Sequence, residues 1–291
     1  MYYDSHTHLN DDLLYPNRSE HISNFCKLWW KWLVNIWVDY ESSQRAIKIA
    51  EYFESDNSFD VYRSDIYSDW ALSDIKVLAT IWLHPWYITS HWRNREDIDT
   101  QNDLIRDLYH AKSHYIYAIW EIGTDLHFEI TDEDYQLQLY MFDKQCQLAR
   151  ELSLPIVIHS RDDRSGTMSI LDNYKDLKIY MHCRWYTSTE LQYLLDNFSS
   201  DHIYIWFTWN VTYPKALGIK ESLKFAYINN MNILTETDAP YLKPQAVRSL
   251  KEPNKSEYIT YIYDWISEDL WIGLVALQKL ISDNFYAFYH K

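Results

Sequence analysis

Close to the start of the chain stands Asp4-Ser5-His6-Thr7-His8, with two imidazoles at positions i and i+2. Side chains alternate along an extended segment, so His6 and His8 project to one side and can close on a single cation. Imidazole combined with carboxylate suits zinc, iron, manganese and related divalent ions. An isolated pair of this kind is more often solvated or part of a core, so the rest of the chain decides its meaning.

The elements that must position such a pair are legible as short apolar, β-rich runs at Tyr2–His8, Leu33–Val38, Lys76–Leu83, Tyr115–Ile122, Pro155–His159, Leu177–His182, Ile203–Phe207 and Asn232–Thr235. Between them lie segments of helical spacing. The clearest is Asp134–Leu152, where Leu137, Met141, Cys146, Leu148 and Leu152 recur mostly at helical steps. Strands alternating with helices imply βαβ units and a parallel sheet, and eight such units predict an α/β fold closed as a (β/α)8 TIM barrel. The expectation is a single domain over residues 1–291, with Glu257–His290 forming one or two closing helices. No G-x-G-x-x-G follows the first strand, which speaks against a dinucleotide-binding sheet.

In such a barrel the chemistry sits where the strands end and the following loops begin. Those ends carry His6 and His8 on strand one, His84 on strand three, Glu121 on strand four and His159-Ser160-Arg161-Asp162 on strand five. His182-Cys183-Arg184 ends strand six, and strand eight runs into Glu236-Thr237-Asp238-Ala239-Pro240. Each has an ordinary structural reading: a hydrogen-bonded strand-end histidine, a surface acid, an aspartate opening a turn. Of these, four histidines (His6, His8, His159 and His182) and two carboxylates (Glu121 and Asp238) at the ends of five strands read together as a metal site, because apolar strands do not bury polar ends without partners.

Composition narrows the partners. The formal charge of −15 argues against a broad nucleic-acid groove, which must neutralise many phosphates, but leaves room for a small site that draws in a strand end. There is no apolar run long enough for a membrane span and no signal-peptide pattern. Cys26, Cys146 and Cys183 are odd in number, widely spaced and free of CxxC, as expected of a reduced, cytoplasmic protein. Nothing points to an obligate protein partner.

The ordered set of motifs resembles the TatD-type metal-dependent deoxyribonucleases among the amidohydrolase-like barrels. It runs from Asp4-Ser5-His6-Thr7-His8 through Leu83-His84-Pro85, Glu121-Ile122-Gly123-Thr124-Asp125, Leu154-Pro155-Ile156-Val157-Ile158-His159-Ser160-Arg161, Met181-His182-Cys183 and Asn210-Val211-Thr212-Tyr213 to Glu236-Thr237-Asp238-Ala239-Pro240-Tyr241. The resemblance implies that His6, His8 and Asp238 hold one divalent cation, with Glu121 bridging to a second held by His159 and His182. It implies that Asp238 accepts a proton from water, that His84 and Arg161 meet the substrate phosphate, and that Glu236 lies behind the ligands and orients one of them. The implied cofactor is one or two ions of Mg, Mn or Zn. The implied activity is hydrolysis of phosphodiester bonds in DNA, exonuclease-like on strand ends or short oligonucleotides. The alternatives are a barrel hydrolase of another ester or amide, and a metal-binding protein without turnover. Many amide-cleaving barrels carry a carboxylated lysine at the end of strand four, where this chain has Glu121.

One departure is systematic. The chain has 4 Gly and 14 Trp, whereas glycine averages about 7% of residues. The resembled family has glycine immediately before Glu121 and glycine-like positions near 37, 82, 185, 206 and 209; here each is tryptophan. Trp120 is expected to point outward against the helices if Glu121 points into the barrel mouth. The sequence therefore raises the expectation that Trp37, Trp82, Trp120, Trp206 and Trp209 are glycine in the native protein, through a TGA codon read as Trp, with Trp86 genuine. The rival is true tryptophan matched by small residues on the facing helices.

Overall fold

The computed structural model describes residues 1–28, 30–36, 40–56, 76–81, 83–90, 94–127, 129–182 and 187–289. Eight strands appear, β1 (Tyr2–Thr7), β2 (Trp30–Asn35), β3 (Lys76–Ile81), β4 (Ile116–Asp125), β5 (Ile156–Arg161), β6 (Ile179–His182), β7 (Ile203–Phe207) and β8 (Asn232–Thr235). They form one sheet in the order of the chain, with every neighbouring pair parallel. Helices alternate with them: α1 (Arg18–Cys26), α2 (Tyr40–Ser55), α3 (Trp86–Ser90), α4 (Arg95–Lys112), α5 (Asp132–Leu152), α6 (Arg164–Leu171), α7 (Ser188–Asn197), α8 (Leu217–Ile228), α9 (Ile259–Asp269) and α10 (Leu274–Tyr289). This is the eight-stranded parallel barrel expected from the alternation, and the closing segment resolves into two helices. The expectations at Trp37, Val38, Trp82, Cys183, Arg184, Trp185 and His290 lie outside the described residues.

The barrel closes at the end that carries the chemistry. Thr7 of β1 bridges Ala239 beyond β8, His8 N–H donates to the Ala239 carbonyl (2.7 Å), and Asp238 N–H donates to the His6 carbonyl (3.0 Å). Helices cover the outer face, so β4 is buried along its whole length, as parallel strands packed on both sides must be. Helix α5 shows how the local code works. Thr131 caps it by accepting from Asp134 N–H while the Asp134 carboxylate accepts from Thr131 N–H, and its apolar stripe of Leu137, Met141, Cys146, Leu148 and Leu152 is buried against the sheet. Cys26 and Cys146 are both buried, and neither is in a disulfide. Among the described residues no helix is long and apolar enough to cross a membrane.

The opposite end is floored by α10. Phe285 packs on Tyr3 (ring centroids 5.0 Å) and Trp32 (5.7 Å), and Phe288 on Tyr180 (5.5 Å) and Tyr204 (4.8 Å), residues near the starts of β1, β2, β6 and β7. Because Phe285 is fully buried among rings that cannot collapse into its space, Phe285→Ala should cost about 3–5 kcal/mol of stability in urea unfolding. A loss under about 1 kcal/mol would show that α10 is not the floor.

Candidate active site

The seam between β8 and β1 builds one half of the site. Asp4 Oδ1 accepts from Thr237 N–H (2.9 Å) and His6 N–H (3.3 Å), and Oδ2 accepts from the Thr237 hydroxyl (2.7 Å). Burial raises the Asp4 carboxyl to about 7 despite these donors. Next to Thr237, Asp238 takes a left-handed backbone conformation (φ 54°), which aspartate tolerates better than most residues. That turn aims its carboxylate back at β1: Asp238 Oδ1 lies 3.4 Å from His6 Nε2 and 3.6 Å from His8 Nε2. The two imidazoles meet at 2.9 Å through their Nε2 atoms. The i, i+2 pair thus converges as its spacing implies.

The other half comes from β3 to β6. Glu121 contacts His182 directly and lies 3.7 Å from His159 Nδ1. His159 Nε2 is held by Asp125 at 3.0 Å. Gly123, between the two acids, lets β4 approach β5 this closely: a β-carbon there would stand 2.0 Å from the His159 carbonyl oxygen. His84 joins Glu121 and His159, so that among the described residues the ligand atoms form three groups, each with its own atoms within 4.8 Å of one another: His6, His8 and Asp238; His6, Glu121 and His182; His84, Glu121 and His159. Arg161 ends β5 opposite Asp125 and helps to hold that carboxyl low.

Electrostatics divides the groups. Burial opposes ionisation of Glu121, but His182 and His159 outweigh it and hold the carboxyl well below its ordinary range. Burial and the neighbouring His182 and His8 drive His6 well down, keeping it neutral and able to donate a lone pair. Burial also lowers His159, yet Asp125 and Glu121 reverse this and raise it to about 9. Desolvation and His159 bring His84 down to about 3. Since His84 Nδ1 accepts from Trp86 N–H (2.9 Å), the neutral ring carries its proton on Nε2 and presents a donor to the mouth.

Glu236 sits beneath both halves. It is fully buried, with its two oxygens 3.5 Å from His6 Nδ1 and 3.5 Å from His182 Nδ1, and it accepts from the Tyr180 hydroxyl (3.1 Å). Burial, with Asp238, Asp4 and Glu121 nearby, pushes its carboxyl well above the usual range. His6 Nδ1, His182 Nδ1 and Glu236 Oε1 are buried without a hydrogen-bond partner. Buried polar atoms left in this state cost about 1–3 kcal/mol each, and a cation held through the Nε2 atoms of His6 and His182 would strengthen the pull of their Nδ1–H groups toward Glu236. The neutral His6 and His84 imidazoles with the ionised Glu121 carboxylate make a donor set that fits a divalent ion.

Two features escape the sequence reading. Asp125, which orients His159, is signalled there only by its even spacing from Glu121 along a strand. Trp120 does not point outward against the helices. The β4–β5 register slips between Trp120, paired with Val157, and Ile122, paired with Ile158, so alternation breaks at Glu121. The Trp120 indole lies against His6 (5.1 Å), Tyr180 (5.2 Å) and Tyr289 (6.3 Å) instead. Trp206 stacks on His182 (4.3 Å), which stacks in turn on His6 (4.5 Å).

The profile of the family described as TatD related DNase matches residues 3–290. The chain belongs to that family. A relative from Bacillus subtilis, the "uncharacterized metal-dependent hydrolase YabD", is 31% identical over 206 residues, covering 68% of this chain and 75% of that protein. The "3'-5' ssDNA/RNA exonuclease TatD" of Citrobacter rodentium is 28% identical over 200 residues, covering 67% and 69%. The solved structure of a TatD homologue from Escherichia coli K12 superposes with a TM-score of 0.78 at 17% identity, covering 100% of this chain and 98% of that one. The family is one of metal-dependent hydrolases, and the clusters described above are where this member can hold a divalent ion.

Because Glu236 faces the outer nitrogen of one imidazole in each half, Glu236→Gln should leave the fold intact and weaken Mn²⁺ binding about 10–100-fold in calorimetry. Unchanged affinity would remove it as an orienting group.

Proposed function

We propose that this chain is a divalent-metal-dependent nuclease, the whole of it acting as one barrel domain, which hydrolyses phosphodiester bonds at the ends of DNA strands or in short oligonucleotides. The observation that carries this reading is the shared carboxylate. Glu121 shares a group with His6 and His182 and also lies 3.7 Å from His159, a placement suited to a carboxylate common to two cations. In this reading His6, His8 and Asp238 would hold one ion, and His159 and His182 a second, with Glu121 available to both. Bound there, Mg, Mn or Zn supplies Lewis acidity and neutralises charge gathering on the phosphate. The nuclease-named relative supports the choice of substrate.

The chain's own residues do the rest. Asp238, locked by its backbone bond to His6, accepts a proton from the attacking water. Asp125 fixes the ring of His159, and Glu236 sets His6 and His182. His84 offers its Nε2–H to a phosphate oxygen, and Arg161 offers a planar fork matched to two. The net charge of −15 favours a compact site that takes a strand end over one that lies along a duplex.

With added Mn²⁺, the protein should hydrolyse bis(p-nitrophenyl) phosphate and shorten single-stranded oligonucleotides. Asp238→Asn should lower kcat by about 10²–10⁴ with little change in KM, and Glu121→Gln should abolish binding of at least one ion. Full activity in Asp238→Asn removes the proton-acceptor role, and unaltered stoichiometry in Glu121→Gln removes the bridge.

Basic residues after β5 to β8, namely Arg161, Arg164, Lys215, Lys243, Arg248 and Lys251, together with Arg184 outside the described residues, are proposed to supply local attraction. Some of them also serve the loops: Lys243 Nζ donates to the Leu250 and Glu252 carbonyls, and Arg248 lies over Tyr213 (4.7 Å). Oligonucleotide affinity should therefore fall with salt, with a shallow slope reflecting few phosphate contacts. A flat response would refute the patch.

A further inference from the structure

Trp271 stands where a helix ends by turning left-handed. Helix α9 closes with Trp271 N–H donating to the Glu268 carbonyl (3.2 Å) and Ile272 N–H to the Ser267 carbonyl (3.1 Å), with Trp271 at φ 55°. These paired bonds form a Schellman closure, and its left-handed position is usually glycine because a β-carbon is penalised there. Tryptophan offsets nothing in return: the ring is 94% exposed. Neither packing nor conformational preference explains a large apolar side chain at this position.

Trp120 and Trp206 reach the same point from the interior. Both are buried with an indole N–H that has no acceptor, and they end a stack in which Trp206 lies on His182, His182 on His6, and Trp120 against His6. The two rings thus occupy the flanks of two candidate ligands. Gly123, a few residues from Trp120, shows what this part of the sheet requires, since no β-carbon fits there. Other tryptophans behave ordinarily. Trp32 also has an unpartnered N–H, but its ring packs edge-on against Tyr117, Phe285 and Tyr286. Trp265 carries Lys220 over its face at 4.7 Å.

Composition supplies an independent sign. A chain of average composition and this length has about 20 glycines; this one has 4, beside 14 tryptophans. We propose that the native protein carries glycine at positions 120, 206 and 271, the gene's TGA codons being read as Trp in this sequence and as Gly in the cells that make it. One reassigned codon accounts for the shortage, the surplus and all three misplaced rings, whereas separate substitutions need a separate compensation at each place. Trp209 packs on Tyr213 (5.2 Å) and adds no sign of its own. In the native chain the outer faces of His182 and His6 are then free, and the mouth is wider by two indoles. This inference concerns the chain's identity and holds whether or not its substrate is DNA.

Tandem mass spectrometry of the protein isolated from its source should find glycine in the peptides spanning 120, 206 and 271; tryptophan at these positions overturns the proposal. Recombinant variants give a second readout. Trp271→Gly, at an exposed site that cannot prevent folding, should raise Tm by about 2–4 °C, and an unchanged or lower Tm overturns the assignment there. The double change Trp120→Gly with Trp206→Gly should raise both soluble yield and Tm. True core tryptophans would instead leave large cavities and lower Tm sharply, which would overturn the interior assignments.

Discussion

Everything in the site hangs on the seam where the last strand meets the first. The Asp4 carboxylate binds the backbone and hydroxyl of Thr237, and the exchange of backbone bonds at His6, His8, Asp238 and Ala239 closes the barrel within the same residues that supply three ligand groups. Closure and chemistry are therefore one constraint. A slip of β8 against β1 would move Asp238 off the two imidazoles and, in the same motion, open the sheet. Strand ends have unpaired backbone groups that must be satisfied somewhere, and here they are satisfied by each other.

The second constraint is charge in a place without water. The site gathers five imidazoles and several carboxylates, and burial alone would neutralise the acids. The structure divides them. Glu121, flanked by His182 and His159, stays ionised; Glu236, facing Asp238, Asp4 and Glu121, is driven toward its protonated form. An ionised acid between two histidines is suited to bind a cation, and an acid below both rings is suited to orient them. Location, not residue type, separates the two glutamates.

The aromatic content of the barrel has two origins in this picture. Rings of the floor, Phe285, Phe288 and Tyr289 of α10 against Tyr3, Tyr180 and Tyr204, interlock at ordinary packing distances and close one end of the molecule. Trp120, between that floor and His6, and Trp206, on His182, press on ligands without satisfying their own N–H groups. The same side-chain chemistry stabilises where the space was made for it and crowds where the space belongs to something else.

The sequence by itself determined the eight alternating units, the strand-end positions of His6, His8, His84, Glu121, His159, His182 and Asp238, and the family to which the chain belongs. It could do so because strand and helix periodicities are local and because ligands cluster at one end of each strand. The excess of tryptophan was also visible there. Only the tertiary structure decided which groups meet: that Asp125 holds His159, that Glu236 spans the two halves, and that Trp120 turns inward. These depend on register between strands far apart in the chain. A single slipped pair at Glu121 reverses an alternation that the sequence reads as regular, and the left-handed turn that aims Asp238 is set by bonds to a strand more than two hundred residues away.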